Sequence, residues 1–123
     1  MSDTFVATAW VNGSHNNPRA SYGLKVRAPD RDRYFMKEWR AIRLLLPNGV
    51  TADVNVAKGS FWSDCRELIS QEIGEWLLAS KLAPWPSRRP PRFVLWVRGP
   101  GEFVVTSACA SKDFHEDAAA LRR

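Results

Sequence analysis

The 123-residue sequence lacks the features that mark several classes of protein. Its two cysteines, Cys65 and Cys109, form no CxxC pair and have no cluster of histidines, which argues against structural zinc and against a disulfide framework. No apolar run approaches the roughly 18 residues of a membrane span. Residues 1–4 contain no basic residue and no long apolar stretch, so we expect no signal peptide. These absences predict a cytoplasmic protein that makes no use of a membrane.

Motifs for catalysis and for phosphate binding are also missing. The sequence contains no Walker A loop and no dinucleotide fingerprint. Its histidines, His15 and His115, lie in polar segments that fix no catalytic geometry. Asp30, Asp32 and Glu38 could hold magnesium, but basic residues alternate with them, which favours surface ion pairs. We therefore predict no catalytic residue, no metal and no cofactor, and a small enzyme with an unfamiliar site stays open as an alternative.

The chain does have the apolar residues that one folded domain requires. Hydrophobic residues make up 45% of it and include six tryptophans and six phenylalanines, which is enough to build a core at this length. We predict a single β-rich domain over residues 1–110. The alanine-rich residues 111–123 predict a short C-terminal helix.

Most of the chain shows the period-two alternation that is typical of β-strands. Asn48 and Gly49 stand between two apolar runs and predict a hairpin with a type I′ turn. Because successive hairpins pair antiparallel, we predict an α+β fold that is mostly β, with a curled antiparallel sheet or a partly open barrel. The predicted strands are 4–11, 21–27, 39–46, 50–56, 92–98 and 102–106.

One main helix is predicted over residues 63–81. Asp64 and Glu67 have the spacing of a capping box. The following residues recur at helical spacing and predict a buried stripe, with the cysteine as a small core residue: Cys65, Ile69, Ile73, Trp76 and Leu77. A short helical turn or irregular connection is expected over 31–37, with Asp30 as a candidate cap.

Charge is distributed unevenly along the chain, although the net charge is only +5. Residues 19–43 contain eight basic and three acidic residues, and residues 88–98 contain four arginines and no acid. Residues 51–80 contain two basic and five acidic residues, so the predicted main helix is acidic on its polar side. An acidic helix is unsuited to a DNA groove lined by phosphates, which argues against a helix-turn-helix protein.

The basic residues lie instead on predicted strands and loops, where they favour a nucleic-acid partner, either DNA or RNA. We predict phosphate contacts from Arg19, Lys25, Arg27, Arg40, Arg88, Arg89 and Arg92. The polar loop residues His15, Asn16 and Asn17 are candidates for contacts to base edges. The competing interpretation is a solvated basic face without a partner.

The order of elements carries a family resemblance. Residues 22–26, 31–39 and 61–77, within a strand-rich chain that has a single main helix between hairpins, resemble the DNA-binding pseudobarrel domains. These domains occur in plant transcription factors and in the recognition domains of some restriction endonucleases. The resemblance covers roughly residues 4–106. It implies DNA held in a concave basic cleft, with two loop-and-strand arms touching bases.

The tryptophans allow a second interpretation of function. Among the tryptophans, Trp39 and Trp85 are the best candidates for stacking on bases, although for Trp39 the sequence favours core packing over stacking. Trp85 stands between two prolines and predicts an aromatic side chain presented on a stiff, extended segment. The alternative function is therefore a module for protein interaction or self-association. The sequence leaves open whether the two basic segments share one face.

Overall fold

The computed structural model describes residues 3–11, 22–86 and 88–106. Within these ranges the chain forms seven strands and two helices. In chain order they are β1 (Thr4–Val11), β2 (Tyr22–Val26), α1 (Ala28–Tyr34), β3 (Ala41–Leu45), β4 (Thr51–Asn55), β5 (Glu67–Ile69), α2 (Gln71–Ala79), β6 (Arg92–Gly99) and β7 (Glu102–Val105). The mostly β fold that the sequence predicts is confirmed.

The strands form one sheet in the order β4-β3-β7-β6-β1-β2-β5. Its two outermost strands, β4 and β5, come into contact, so the sheet curls into a nearly closed barrel. Neighbouring strands pair antiparallel, except that β3 and β7 run parallel. The prediction of an antiparallel sheet is wrong at that pair, because hairpin signals fix only strands that follow one another in the chain.

The hairpin of β3 and β4 is confirmed, but its turn is not of type I′. Gly49 has a positive φ of 86°, whereas Asn48 does not share that conformation, as type I′ would require. The Gly49 amide donates to the Leu46 carbonyl at 2.9 Å, and Pro47 occupies the position that suits its fixed φ. The connection is therefore a three-residue loop that ends in a glycine in the left-handed conformation.

A helix packs against each end of the barrel. At the first end, Tyr34 and Phe35, which close α1, stack on Phe5 and Phe103 with ring centroids 5.1 and 5.0 Å apart. At the other end, Trp76 of α2 packs on Phe93 at 4.8 Å. We call these the α1 end and the α2 end. The strand directions place the starts of β1, β3 and β7 at the α1 end and the starts of β2 and β6 at the α2 end.

The predicted main helix is wrong in its first half. Helix α2 begins after Ser70, whose hydroxyl accepts a hydrogen bond from the Ile73 amide at 3.1 Å. Asp64 and Glu67 form no capping box, because Glu67 lies in β5, which pairs with β2. Cys65 is exposed rather than part of the core. A three-residue strand is too short to show a period of its own, so the helical spacing that crosses it was misleading.

A second helix replaces the expected short turn over 31–37. Helix α1 begins at Ala28, with Pro29 in the first turn, where its missing amide costs nothing. Arg27 occupies the N-cap position and provides no side-chain cap. Asp30 lies inside the helix and accepts a hydrogen bond from Arg27 at 3.0 Å, so its predicted capping role is wrong.

Candidate nucleic-acid interface

The two basic segments meet on the outer face of the barrel at Lys25 and Arg92. Thr8 of β1 is the register partner of both residues, with Lys25 on β2 and Arg92 on β6. Partners in antiparallel strands have Cα atoms about 5 Å apart, so the two Cα atoms are about 10 Å apart across β1. Their strand neighbours point into the core, which directs both basic side chains outward.

Arg88 and Arg89 lie just before β6, at the α2 end of the barrel. Residues 81–92 contain four cationic residues and no acid. Both arginines are exposed, and the Arg89 amide donates to the Pro86 carbonyl at 3.0 Å, which turns the chain here. Among the described residues, no carboxylate forms an ion pair with Arg88, Arg89 or Arg92. We call Lys25, Arg88, Arg89 and Arg92 the basic patch.

Lys25 differs from the rest of the basic patch because it has a carboxylate partner. Its ammonium lies 3.9 Å from the carboxylate of Glu67, and the Glu67 side chain is only 8% exposed. The Lys25 side chain itself is 41% exposed, so it borders both the solvent and this buried group. Lys25 therefore neutralises Glu67 within the fold, and only part of its charge is presented to the solvent.

Two of the predicted phosphate contacts lie outside the basic patch. Arg27 follows β2, two residues after Lys25, so the two Cα atoms are only about 7 Å apart, but its guanidinium is paired with Asp30 at 3.0 Å. Arg40 precedes β3 and belongs to the α1 end. Strand β6 rises about 3.3 Å per residue, so the two ends are about 20 Å apart. The structure therefore separates Arg40 from the basic patch, whereas Arg27 borders the patch with its charge already compensated by Asp30.

The remaining predicted contacts lie outside the described residues. These are Arg19 and the candidate base contacts His15, Asn16 and Asn17. The predicted C-terminal helix over 111–123 also lies outside them. The structure therefore leaves these predictions as they stand.

Charges at the α1 end are mixed. A shallow groove of about 450 Å³ there is lined by Trp39, Arg43, Asp53 and Glu102, with the turn at 100–101. Arg43 lies between the two carboxylates, 3.3 Å from Asp53 and 4.0 Å from Glu102. Its charge is therefore already compensated, which makes this groove less suited to phosphate than the basic patch.

Two of the three acidic residues of the 30–38 segment form ion pairs, as the sequence predicts, and none is seen for Glu38 among the described residues. Asp30 pairs with Arg27 and Asp32 pairs with Arg31, each at 3.0 Å. Within the part of the chain that the structure describes, no group of three or more metal-ligating side chains comes together. The arrangement of these carboxylates gives no support to a nuclease site.

The most exposed tryptophan is Trp96, which is not one of the two candidates for base stacking that the sequence predicts. Trp39 packs on Phe35 and Trp85 packs on Tyr22, both in edge contacts beside the core. Trp96 on β6 is 41% exposed. The signal was present in the sequence, because the inward alternation of Phe93, Leu95 and Val97 places Trp96 on the outer face.

Comparison with known proteins identifies no relative: no family model, no curated protein and no solved structure matches this chain. None of the helices within residues 3–11, 22–86 and 88–106 is long and apolar enough to cross a membrane.

Proposed function

We propose that the protein is a non-enzymatic nucleic-acid-binding module, with DNA as the expected partner. The observation that carries the proposal is the meeting of Lys25 and Arg92 on one outer face, with Arg88 and Arg89 shortly before Arg92 in the chain. Cationic side chains attract the phosphate backbone and release its counterions on binding, and Arg88, Arg89 and Arg92 have no acidic partner among the described residues. In this proposal the basic patch positions the protein on the backbone.

The resemblance to the pseudobarrel domains supports the same class of partner. A nearly closed barrel with a helix at each end accommodates that resemblance. However, the basic residues favour a surface at the α2 end over a concave cleft that uses all seven predicted phosphate contacts. Arg40, at the α1 end, and Arg27, which is paired with Asp30, therefore have a smaller role in the proposal than the basic patch.

The alternative is protein interaction through Trp85. Its ring centroid lies 5.5 Å from that of Tyr22, so much of the side chain is used in packing within the fold. A tryptophan that packs against its own fold exposes less apolar surface to a partner than a tryptophan that is fully exposed to solvent. This contact favours the nucleic-acid proposal over the alternative.

Fluorescence anisotropy tests the proposal with labelled duplex DNA, single-stranded DNA and RNA over a range of salt concentrations. We expect micromolar binding that weakens linearly with log salt, and a clear loss of affinity in the double variant Arg88→Glu, Arg89→Glu. The matched control is Lys37→Glu, Arg40→Glu, which reverses two exposed charges at the α1 end. Absence of binding to all three probes at low salt would reject the proposal.

A further inference from the structure

The outer face of β6 combines an exposed aromatic side chain with arginines on either side. Arg92, Val94 and Trp96 alternate with the buried residues Phe93 and Leu95, so they share this face. Arg98 follows at the irregularity between Val97 and Gly99 in the pairing with β7. Trp96 is 41% exposed, and Arg98 is also exposed. At about 3.3 Å per residue, the two arginines are about 20 Å apart with Trp96 between them.

Apolar neighbours extend the surface around Trp96 on both sides. Val104 of β7 and Thr4 of β1 are its register partners, and Val6 is the register partner of Val94. The hydroxyl of Thr106 donates to the Val94 carbonyl at 2.9 Å and thereby uses its polar hydrogen within the fold. The result is a surface around Trp96 to which Val6, Val94 and Val104 contribute apolar side chains and Thr4 a polar one, with Arg92 and Arg98 further along β6.

We infer that this face binds single-stranded nucleic acid, with a base stacked on Trp96 and the phosphates directed to Arg92 and the rest of the basic patch. The inference rests on the proposed function and names its substrate class. A base in a duplex is already stacked between its neighbours, so a tryptophan on a sheet surface cannot reach its face. An unpaired base has a free face and stacks on aromatic side chains with little dependence on sequence.

The distribution of charge favours this occupant over a second copy of the chain. Among the described residues, neither Arg92 nor Arg98 has an ion pair or a side-chain hydrogen bond. Two copies packed face to face would bring these arginines together around Trp96. The acids on this side are Glu102, which already lies 4.0 Å from Arg43, and Asp3, at the α1 end. A polyanion therefore complements the Arg92 side better than a second basic surface does.

Three variants test the role of the ring, with anisotropy measured on labelled oligo-dT and on inorganic polyphosphate as a polyanion without bases. We expect Trp96→Ala to bind oligo-dT about tenfold more weakly, Trp96→Phe to retain most of the affinity, and Val50→Ala to bind like the unaltered protein. Val50 is a matched control because it is also 41% exposed but lies in the β3–β4 loop. Polyphosphate binding should be unchanged in Trp96→Ala and reduced in Arg92→Glu.

The outcomes separate this inference from the proposed function. If Trp96→Ala binds oligo-dT normally while Arg88→Glu, Arg89→Glu binds weakly, stacking is rejected and the proposed function stands. A stronger affinity for duplex than for oligo-dT would also reject it. If sedimentation shows a dimer that Trp96→Ala converts to a monomer, the face is a contact between copies and the inference is overturned. Absence of binding to every nucleic acid rejects the proposed function itself.

Discussion

The ammonium of Lys25 lies 3.9 Å from the carboxylate of Glu67, which is almost completely removed from solvent. A buried carboxylate that loses its counter-charge is costly, whereas an exposed ion pair contributes little. The pair also joins the short strand β5 to β2, since the two residues are register partners. Lys25 therefore contributes to the fold as well as to the basic patch.

We predict that Lys25→Ala lowers the free energy of unfolding by about 1–2 kcal/mol, because Lys25 is part-exposed and solvent screens part of the interaction. Urea unfolding measures the change. Arg43→Ala is the matched control, since it breaks only exposed pairs, with Asp53 and Glu102, and should cost less than about 1 kcal/mol. Equal losses in the two variants would show that the burial of Glu67 adds nothing to the pair.

Arg31 provides a second test of a basic residue that acts within the fold. One of its terminal nitrogens donates to the Phe61 and Ser63 carbonyls, each at 3.1 Å, and its guanidinium lies 5.4 Å from the centre of the Trp62 ring. The side chain is only 11% exposed. Arg31 therefore links α1 to the loop that follows β4 through these hydrogen bonds.

We predict that Arg31→Lys lowers the free energy of unfolding by about 2 kcal/mol, because an ammonium cannot keep both hydrogen bonds and the flat contact with the ring. Differential scanning fluorimetry and urea unfolding measure it. Arg33→Lys on the same helix is the control, since Arg33 is exposed and contacts Tyr34 alone among the described rings. Its unfolding should change by less than about 0.5 kcal/mol, and nucleic-acid binding should be the same in both variants.

The hairpins could be predicted from the sequence because they depend on local patterns. The alternation of β3, β4, β6 and β7 marks the inward residues, and Gly49 marks the turn between β3 and β4. Strand β5 could not be predicted, because its pairing with β2 links residues more than 40 positions apart. The parallel pairing of β3 with β7 could not be predicted for the same reason, since nothing in the sequence of either strand specifies a distant neighbour.

The candidate site could be predicted only in part. The charges of residues 88–92 were visible as an acid-free run, but whether they meet Lys25 depends on β1 lying between β2 and β6. The partners of Arg27 and Arg31 were also hidden, because an arginine in a basic run gives no sign of the carboxylate or carbonyl that it contacts. Trp96 was predictable from alternation alone.

Gly23 lies where β2 has no room for a side chain beside β5. A Cβ at this position would lie 2.6 Å from the Leu68 carbonyl oxygen, a backbone atom of the paired strand β5. We predict that Gly23→Ala lowers the free energy of unfolding by about 1–3 kcal/mol, because β5 must move away from β2. Gly59→Ala is the control, since no atom lies within 4 Å of the added carbon. If urea unfolding gives the same midpoint for both, β5 does not approach β2 closely enough at Gly23 to exclude a Cβ.

At the α1 end Arg43 is paired with carboxylates, whereas the arginines of the basic patch have no acidic partner among the described residues. Charge reversal of one arginine at each end tests whether this difference affects nucleic-acid binding. Arg92 lies in the basic patch, whereas Arg40 lies about 20 Å away beside the groove with Asp53 and Glu102. We predict that Arg92→Glu weakens nucleic-acid binding at least fivefold more than Arg40→Glu. Arg92→Ala should also reduce the slope of log affinity against log salt by about one, as expected when one phosphate contact is lost.

Titration at three or more salt concentrations is needed, since a single affinity does not separate lost contacts from general repulsion. Both charge reversals lower the net charge by the same two units, so any effect of total charge is equal in the two variants. A difference between them must therefore come from position. If Arg40→Glu has the larger effect, the binding surface belongs at the α1 end, and the assignment of the basic patch as the phosphate-binding surface is wrong.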